Sequence, residues 1–455
     1  MTETYDTQTL QQTAIEHLWM HNRDWVQMAE EGGPLVVVDG DGIRVTDSEG
    51  KSWIDVNGGY ASVNVGYGRI EIAETVREQM LKLSYFPQAS TTEPLVRLVE
   101  KLAEITPGSL ERVWPVTGGS EANETAIKIA RAYHKRMGEA GRYKIISRRG
   151  SYHGATGGVM WLGSGERSDY EPGYPGMVYA PQPNPYRCEL GGETPSECAA
   201  RCAQAIEDLI RFHGHKTVAA VIAEPVSSAS GAAVPGDEYW PMLRQICDRY
   251  GVLLIADEVI CGFGRTGRMF AMEHWGVVPD IVTVAKGVTS SYLPLAAAIA
   301  TTQVADAFAG EDNVFRQALT FGGHPVTAVA ALENIDILER DGLVENSAGT
   351  GAYFLERLRG LMEVHPMIGD ARGIGLLLGI ELVADRETKE AFPKEVKVPE
   401  RLSEKFRERG LILRVGGATV GMSPPLCITP SEVDEIVSAL DSSIGELEIE
   451  LATSG

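Results

Sequence analysis

A chain of 455 residues, 44% of them hydrophobic, is long enough to bury a large core and to divide into more than one domain. Its formal net charge of −22 repels nucleic acid and anionic membrane surfaces, which excludes the basic binding classes. Six scattered cysteines without a CxxC pair fit a reducing compartment and argue against a disulfide scaffold or a structural zinc site. The chain opens without a basic, apolar leader, and no apolar run reaches the length of a membrane span. The expectation is a cytoplasmic protein with neither nucleic acid nor membrane as partner.

Residues 9–25 carry Leu10, Ile15, Leu18, Trp19 and Trp25 at amphipathic spacing and predict a helical arm with too little core to fold by itself. Short apolar runs at 35–38, 43–46 and 53–56, separated by Asp-Gly and Ser-Glu-Gly turns, predict antiparallel hairpins. Two glycine-rich loops then carry Tyr60 and Tyr67; they read either as a lid over a small ligand or as turns with surface tyrosines. Helices are predicted over 71–83 and 93–105.

A large region follows. The strand 113–116 leads through Thr117-Gly-Gly119-Ser120 into a helix with Ala122, Ala126, Ile129, Ala130 and Tyr133 on one face. Free N–H groups and the positive helix end make such a turn an anion cradle; the alternative role for Ser120 is an N-cap. The strand 144–147 empties into Gly150-Ser-Tyr152-His153-Gly154, where an aromatic side chain can stack on a flat ring. Residues 170–197 read as a long irregular connection, 199–212 as a helix and 217–222 as a strand running out to Glu224. On the helix, Cys198 and Cys202 share a face, as a metal pair or, more simply, as small packing residues.

The helix 239–250 leads into Gly251-Val-Leu-Leu-Ile-Ala-Asp257, and Asp280-Ile-Val-Thr-Val-Ala-Lys286 follows. Apolar runs without helical spacing are buried strands of a parallel sheet. Glu224, Asp257 and Lys286 therefore meet at its carboxyl edge, where open α/β folds bind ligands. An amine and a carboxylate there suit pyridoxal phosphate, whose aldehyde takes an amine and whose ring nitrogen needs an anion; a plain ion pair is the alternative. Gly262-Phe-Gly264-Arg265-Thr-Gly267 matches the dinucleotide fingerprint. The preceding strand already ends in Asp-Glu where a phosphate turn should begin, so the match reads as accidental.

Farther on, 295–301 is a strand, and Thr320 before Gly322-Gly323 is a second phosphate candidate. A helix from Glu345, strands at 373–382 and 411–415, a Pro-Pro loop at 422–426 and the capping box Thr429-Pro-Ser-Glu432 complete the chain. The expected division is an N-terminal arm with hairpins (1–65), a large domain (66–335) and a C-terminal small domain (336–455).

Taken in order, Thr117-Gly-Gly-Ser-Glu-Ala, Tyr152-His-Gly, Asp257-Glu-Val, Gly262-Phe-Gly-Arg-Thr-Gly, Lys286-Gly and Gly323-His-Pro resemble the class III pyridoxal phosphate aminotransferases of fold type I. The resemblance spans nearly the whole chain and points to the omega-aminotransferase or amine-pyruvate branch. It implies an α/β fold: a large domain with a mostly parallel central sheet, and a smaller α+β domain built from both chain ends. Lys286 is then the lysine that bonds the cofactor aldehyde and carries the proton. Asp257 pairs with the ring nitrogen, Val259 and Tyr152 cover the two ring faces, and His153 and Glu224 lie beside them. Gly119 and Ser120 hold the phosphate, with Thr320 reaching the phosphate of a neighbouring subunit in a homodimer or homotetramer whose sites lie at the dimer interface.

The same resemblance implies ping-pong transfer from a primary amine or omega-amino acid to pyruvate, an α-keto acid, with no metal. Arg414 stands where that branch carries a mobile carboxylate-binding arginine, a surface ion pair being the alternative. Tyr60, Tyr85, Phe86, Tyr152 and Trp25 are the candidate pocket aromatics; some members carry tryptophan where Tyr60 stands. A decarboxylase or aminomutase on the same framework is the competing activity.

Overall fold

The computed structural model describes residues 6–454 apart from 164 and 166. Its central sheet has seven strands in the order Leu110–Val116, Ala296–Thr301, Ile281–Val284, Leu253–Asp257, Val218–Ala223, Lys144–Arg148 and Met177–Ala180. The last five are mutually parallel, while Ala296–Thr301 runs antiparallel to both of its neighbours. Every residue of Val218–Ala223, Leu253–Asp257 and Ile281–Val284 is buried. Strands covered on both faces have no solvent side to alternate with, which is why these runs are continuously apolar. The helix Gly119–Arg136 packs against the central strands, and Pro195–His213 packs on Tyr239–Tyr250.

Two smaller sheets use both ends of the chain. Val37–Asp41, Arg44–Asp47 and Ser52–Asp55 form the expected antiparallel hairpins and gain a parallel fourth strand, Leu411–Ile412. Ile368–Ile374, Leu377–Leu382, Thr419–Met422 and Arg414–Gly416 make an antiparallel sheet. The capping box opens the final helix as expected: Thr429 N–H donates to Glu432 Oε2 at 2.8 Å, and Glu432 N–H to Thr429 Oγ1 at 3.3 Å. Among the described residues no helix is long and apolar enough to cross a membrane.

The sequence expectations differ from the fold in five places. The arm is two helices, Thr7–His17 and Trp25–Glu30, because Leu18 is extended and Asp24 caps a new start by accepting the Val26 N–H at 2.8 Å. The stretch 170–197 hides the edge strand Met177–Ala180, too short to stand out among its Pro and Gly neighbours. The single strand expected at 373–382 spans the turn of a hairpin, with Ile368–Ile374 ending before the turn and Leu377–Leu382 returning after it. Gly375 turns it at φ +56°, pressed so close to Thr266 that an added Cβ would lie 2.3 Å from that carbonyl carbon. The strand expected at 411–415 divides at Leu413 between the two small sheets. Val398–Glu408, not anticipated as a helix, packs on the final one.

Candidate active site

Asp257 ends its strand in a buried position, 3% exposed. A buried carboxylate is tolerable only with donors around it, and this one has them. Its Oδ2 lies 2.7 Å from His153 Nδ1 and accepts from Asn123 Nδ2 at 2.8 Å; its Oδ1 accepts the Val259 N–H at 3.1 Å. Asn123 is itself fixed by every polar atom it owns. Its second amide hydrogen goes to His153 O at 2.7 Å, and its Oδ1 accepts from the Thr283 hydroxyl at 2.7 Å. Thr283 sits directly opposite Asp257 on the neighbouring strand.

Lys286 follows the next strand as the first residue of a single tight turn, Lys286–Val288, at φ +47°. A left-handed conformation costs a side-chain-bearing residue roughly 1–2 kcal/mol. Such strain is retained where surrounding packing over-determines it, and it clusters at functional sites. Withdrawal from water pushes the Lys286 amine down to about 8; Asp257 opposes this, while Arg414 and Arg265 add to it. At pH 7 roughly one amine in ten is then neutral, against fewer than roughly one in a thousand for an ordinary lysine.

Glu224 is oriented from three sides. Arg148 Nη2 donates to its Oε2 at 3.1 Å, while Tyr152 N–H at 3.1 Å and the Ser227 hydroxyl at 3.3 Å donate to its Oε1. The helix Gly119–Arg136 begins beside this group with no side chain among the described residues capping it, so its first N–H groups are available to an anion. Ser120 is not the N-cap; its Oγ accepts the Ala155 N–H at 3.1 Å. A Cβ on Gly119 would lie 2.9 Å from Val259 Cγ1, and one on Gly154 would lie 2.5 Å from Ser120 Oγ. Both glycines keep the space in front of the helix end open.

Eight of the residues singled out from sequence, namely Gly119, Ser120, Tyr152, His153, Glu224, Asp257, Val259 and Lys286, line one pocket. The rest lie outside that lining. Tyr60 is 67% exposed on a left-handed turn, residues 58–61 all having positive φ. Asp55 Oδ2 anchors this turn, accepting from Gly59 N–H at 2.8 Å and Tyr67 OH at 2.7 Å. The Tyr85 hydroxyl donates to Thr320 O at 2.9 Å, and its ring meets those of Phe321 and His324; Phe86 is exposed beside it in sequence. Arg414 is exposed at the start of a short strand. Trp25 packs edge-on against Trp19 on the arm.

Sequence reasoning missed Asn123, Thr283 and Arg148. Thr283 did carry a signal, being a polar residue on an otherwise apolar strand. The dinucleotide-like glycines serve packing: added Cβ atoms at Gly264 and Gly267 would meet Leu426 and Ala348 within 2.9 Å and 2.8 Å.

The family model described as aminotransferase class-III matches residues 27–444. The chain belongs to the class III aminotransferases. It is similar to the thermostable (S)-enantioselective omega-transaminase from Thermomicrobium roseum, at 41% identity and a TM-score of 0.94, covering 98% of this chain and 100% of that one. The taurine–pyruvate aminotransferase of Bilophila wadsworthia is 38% identical over 98% of this chain and 99% of its own length. The putrescine–pyruvate aminotransferase of Pseudomonas aeruginosa is 37% identical, with 91% of each chain covered.

Class III aminotransferases work with pyridoxal phosphate, and the pocket of this aminotransferase fits that group. It offers a shifted amine, a fixed carboxylate and an uncapped helix end. Among the described residues, His153 Nε2 is buried there without a partner. Substituting Gly119 by alanine is expected to push Val259 into the pocket and weaken pyridoxal phosphate retention about tenfold, an overpacking cost of roughly 1–2 kcal/mol. Equilibrium dialysis against the cofactor checks this, with the melting temperature of the cofactor-free protein nearly unchanged.

Proposed function

We propose that this aminotransferase moves the amino group of a primary amine or omega-amino acid to pyruvate, in two half-reactions that use one site. The observation that carries the reading is the pocket that brings the Lys286 amine together with Asp257, a carboxylate held by three N–H donors. Pyruvate as acceptor is supported by the names of two relatives, and by Arg414, a cation whose field reaches Lys286.

Bound pyridoxal phosphate supplies an aldehyde that exchanges amines and a ring that stabilises the electrons left when a proton leaves carbon. Lys286 would hold that group through its amine and, lying in the same pocket, would be the residue placed to hold the donor's proton at Nζ, a task suited to an amine lowered toward working pH. Asp257 would keep a proton on the ring nitrogen, and His153 and Asn123 hold Asp257 still so that no reorganisation is needed. The Gly119 and Ser120 N–H groups would hold the phosphate, and Val259, Tyr152 and Glu224, which line the same pocket, would hold the ring. Anchoring does no chemistry; it positions the donor carbon against Lys286.

Arg414 receives the keto-acid carboxylate, and Tyr60, Tyr85 and Phe86 border the donor. Trp25, on the exposed arm, is the weakest of the pocket aromatics. Thr320 serves the phosphate of a neighbouring subunit in a homodimer or homotetramer, and the exposed Tyr85 and Phe321 cluster beside it supports burial there. The hairpins of 1–65 and the segment 336–455 form the small domain around 66–335, supported by the strand Leu411–Ile412 that joins the N-terminal hairpins. Six free cysteines support a cytoplasmic setting.

The test is the visible spectrum of the purified, cofactor-loaded protein with 1-phenylethylamine, β-alanine, taurine or putrescine, followed by pyruvate. The cofactor band is expected to bleach with at least one donor and to return with pyruvate. Recovery with 2-oxoglutarate but not pyruvate would replace the acceptor, and absence of any band after cofactor addition would remove the catalytic roles.

A further inference from the structure

Cys188, Cys198 and Cys202 bring three sulfur atoms within 4.8 Å of one another. Cys198 and Cys202 are 1% and 0% exposed, four residues apart on Pro195–His213, which puts both on one face. Cys188 comes from the loop before that helix and is partly exposed.

The loop is clamped onto the helix. Arg201 Nη1 donates to Leu190 O at 2.8 Å and Gly191 O at 3.0 Å. Arg149 donates to Glu189 Oε2 through Nε at 2.9 Å and Nη2 at 2.6 Å. Gly192 lies so close that an added Cβ would be 2.6 Å from the Cys198 nitrogen. The Cys202 thiol points to Gln182 O at 3.6 Å.

We propose that Cys188, Cys198 and Cys202 form a binding site for one thiophilic d10 cation, zinc(II) or copper(I), separate from the cofactor pocket. A donor set of three sulfurs without a carboxylate selects such cations over magnesium or calcium. Metal–sulfur bonds of about 2.3 Å place the sulfurs roughly 4 Å apart, so a small inward rotation closes the site. Binding exchanges three S–H bonds for three metal–sulfur bonds and releases three protons to solvent, with no change of oxidation state. Cys198 lies in the first turns of its helix, whose positive end offsets the charge of the thiolates.

The experiment uses the reduced, cofactor-loaded protein after chelator dialysis, titrated in separate arms with zinc(II) and copper(I) against a chromophoric competitor. One equivalent per chain is expected in at least one arm. Cys188→Ser is expected to weaken that binding at least a hundredfold, and Cys427→Ser, outside the cluster, to leave it unchanged. Cys188 is on a loop, so its variant is expected to fold; retention of the cofactor band checks that. Equal affinity in wild type and Cys188→Ser, or no competition in either arm, would overturn the proposal.

Discussion

Replacing Lys286 by alanine is expected to lower kcat at least about a thousandfold while the protein stays folded, the loss belonging to a removed acid–base group. Arg265, a neighbouring cation, is fully buried and committed to Leu376 O, Pro424 O and Asn64 Oδ1. Mass spectrometry after borohydride reduction is expected to find the cofactor attached to the wild type and absent from the variant; attachment in Lys286→Ala would disprove the assignment.

The same residue makes a stability prediction with a definite sign. In the folded, cofactor-free protein its amine titrates at about 8, against an ordinary value of 10.5. Between those two pH values the unfolded chain binds the proton that the folded chain has released, so folding is increasingly favoured as pH rises through that window. Lys286→Ala is expected to remove this rise. Urea unfolding of both cofactor-free proteins from pH 8 upward measures it, and parallel curves would show that Lys286 titrates normally.

Asp257→Asn carries the second large effect. The substitution keeps the shape and removes the charge, placing one side-chain N–H against His153 Nδ1 or Asn123 Nδ2, both now hydrogen-bonded to a carboxylate. A drop in kcat of about a hundredfold to ten-thousandfold is expected, together with roughly 1–3 kcal/mol of stability lost to mispaired buried donors. Steady-state kinetics at saturating donor, paired with urea unfolding, separates the two losses. A variant of wild-type kcat would mean that the ring nitrogen needs no anion.

Much of this was legible before any coordinates. The runs around Ile222, Ile255 and Val282 are apolar without alternation because both sheet faces are covered, and their polar ends fall where side chains leave the core. Gly119 and Lys286 follow from the same logic. Less legible were elements whose identity is settled by partners. Met177–Ala180 is a strand because Lys144–Arg148 lies beside it, and residues 411–416 split because two different sheets each claim part of the run.

The sequence by itself determined six of the seven strands of the central sheet and the placing of Glu224, Asp257 and Lys286 at its carboxyl edge, because strand periodicity and burial are written in adjacent residues. Only the tertiary structure decided what surrounds those residues. Asn123 reaches Asp257 across 134 positions and Thr283 reaches Asn123 across 160. Cys188 joins Cys198 and Cys202 only because a loop is clamped onto their helix. Convergence of this kind depends on how distant segments pack, and no local pattern of residue types encodes it.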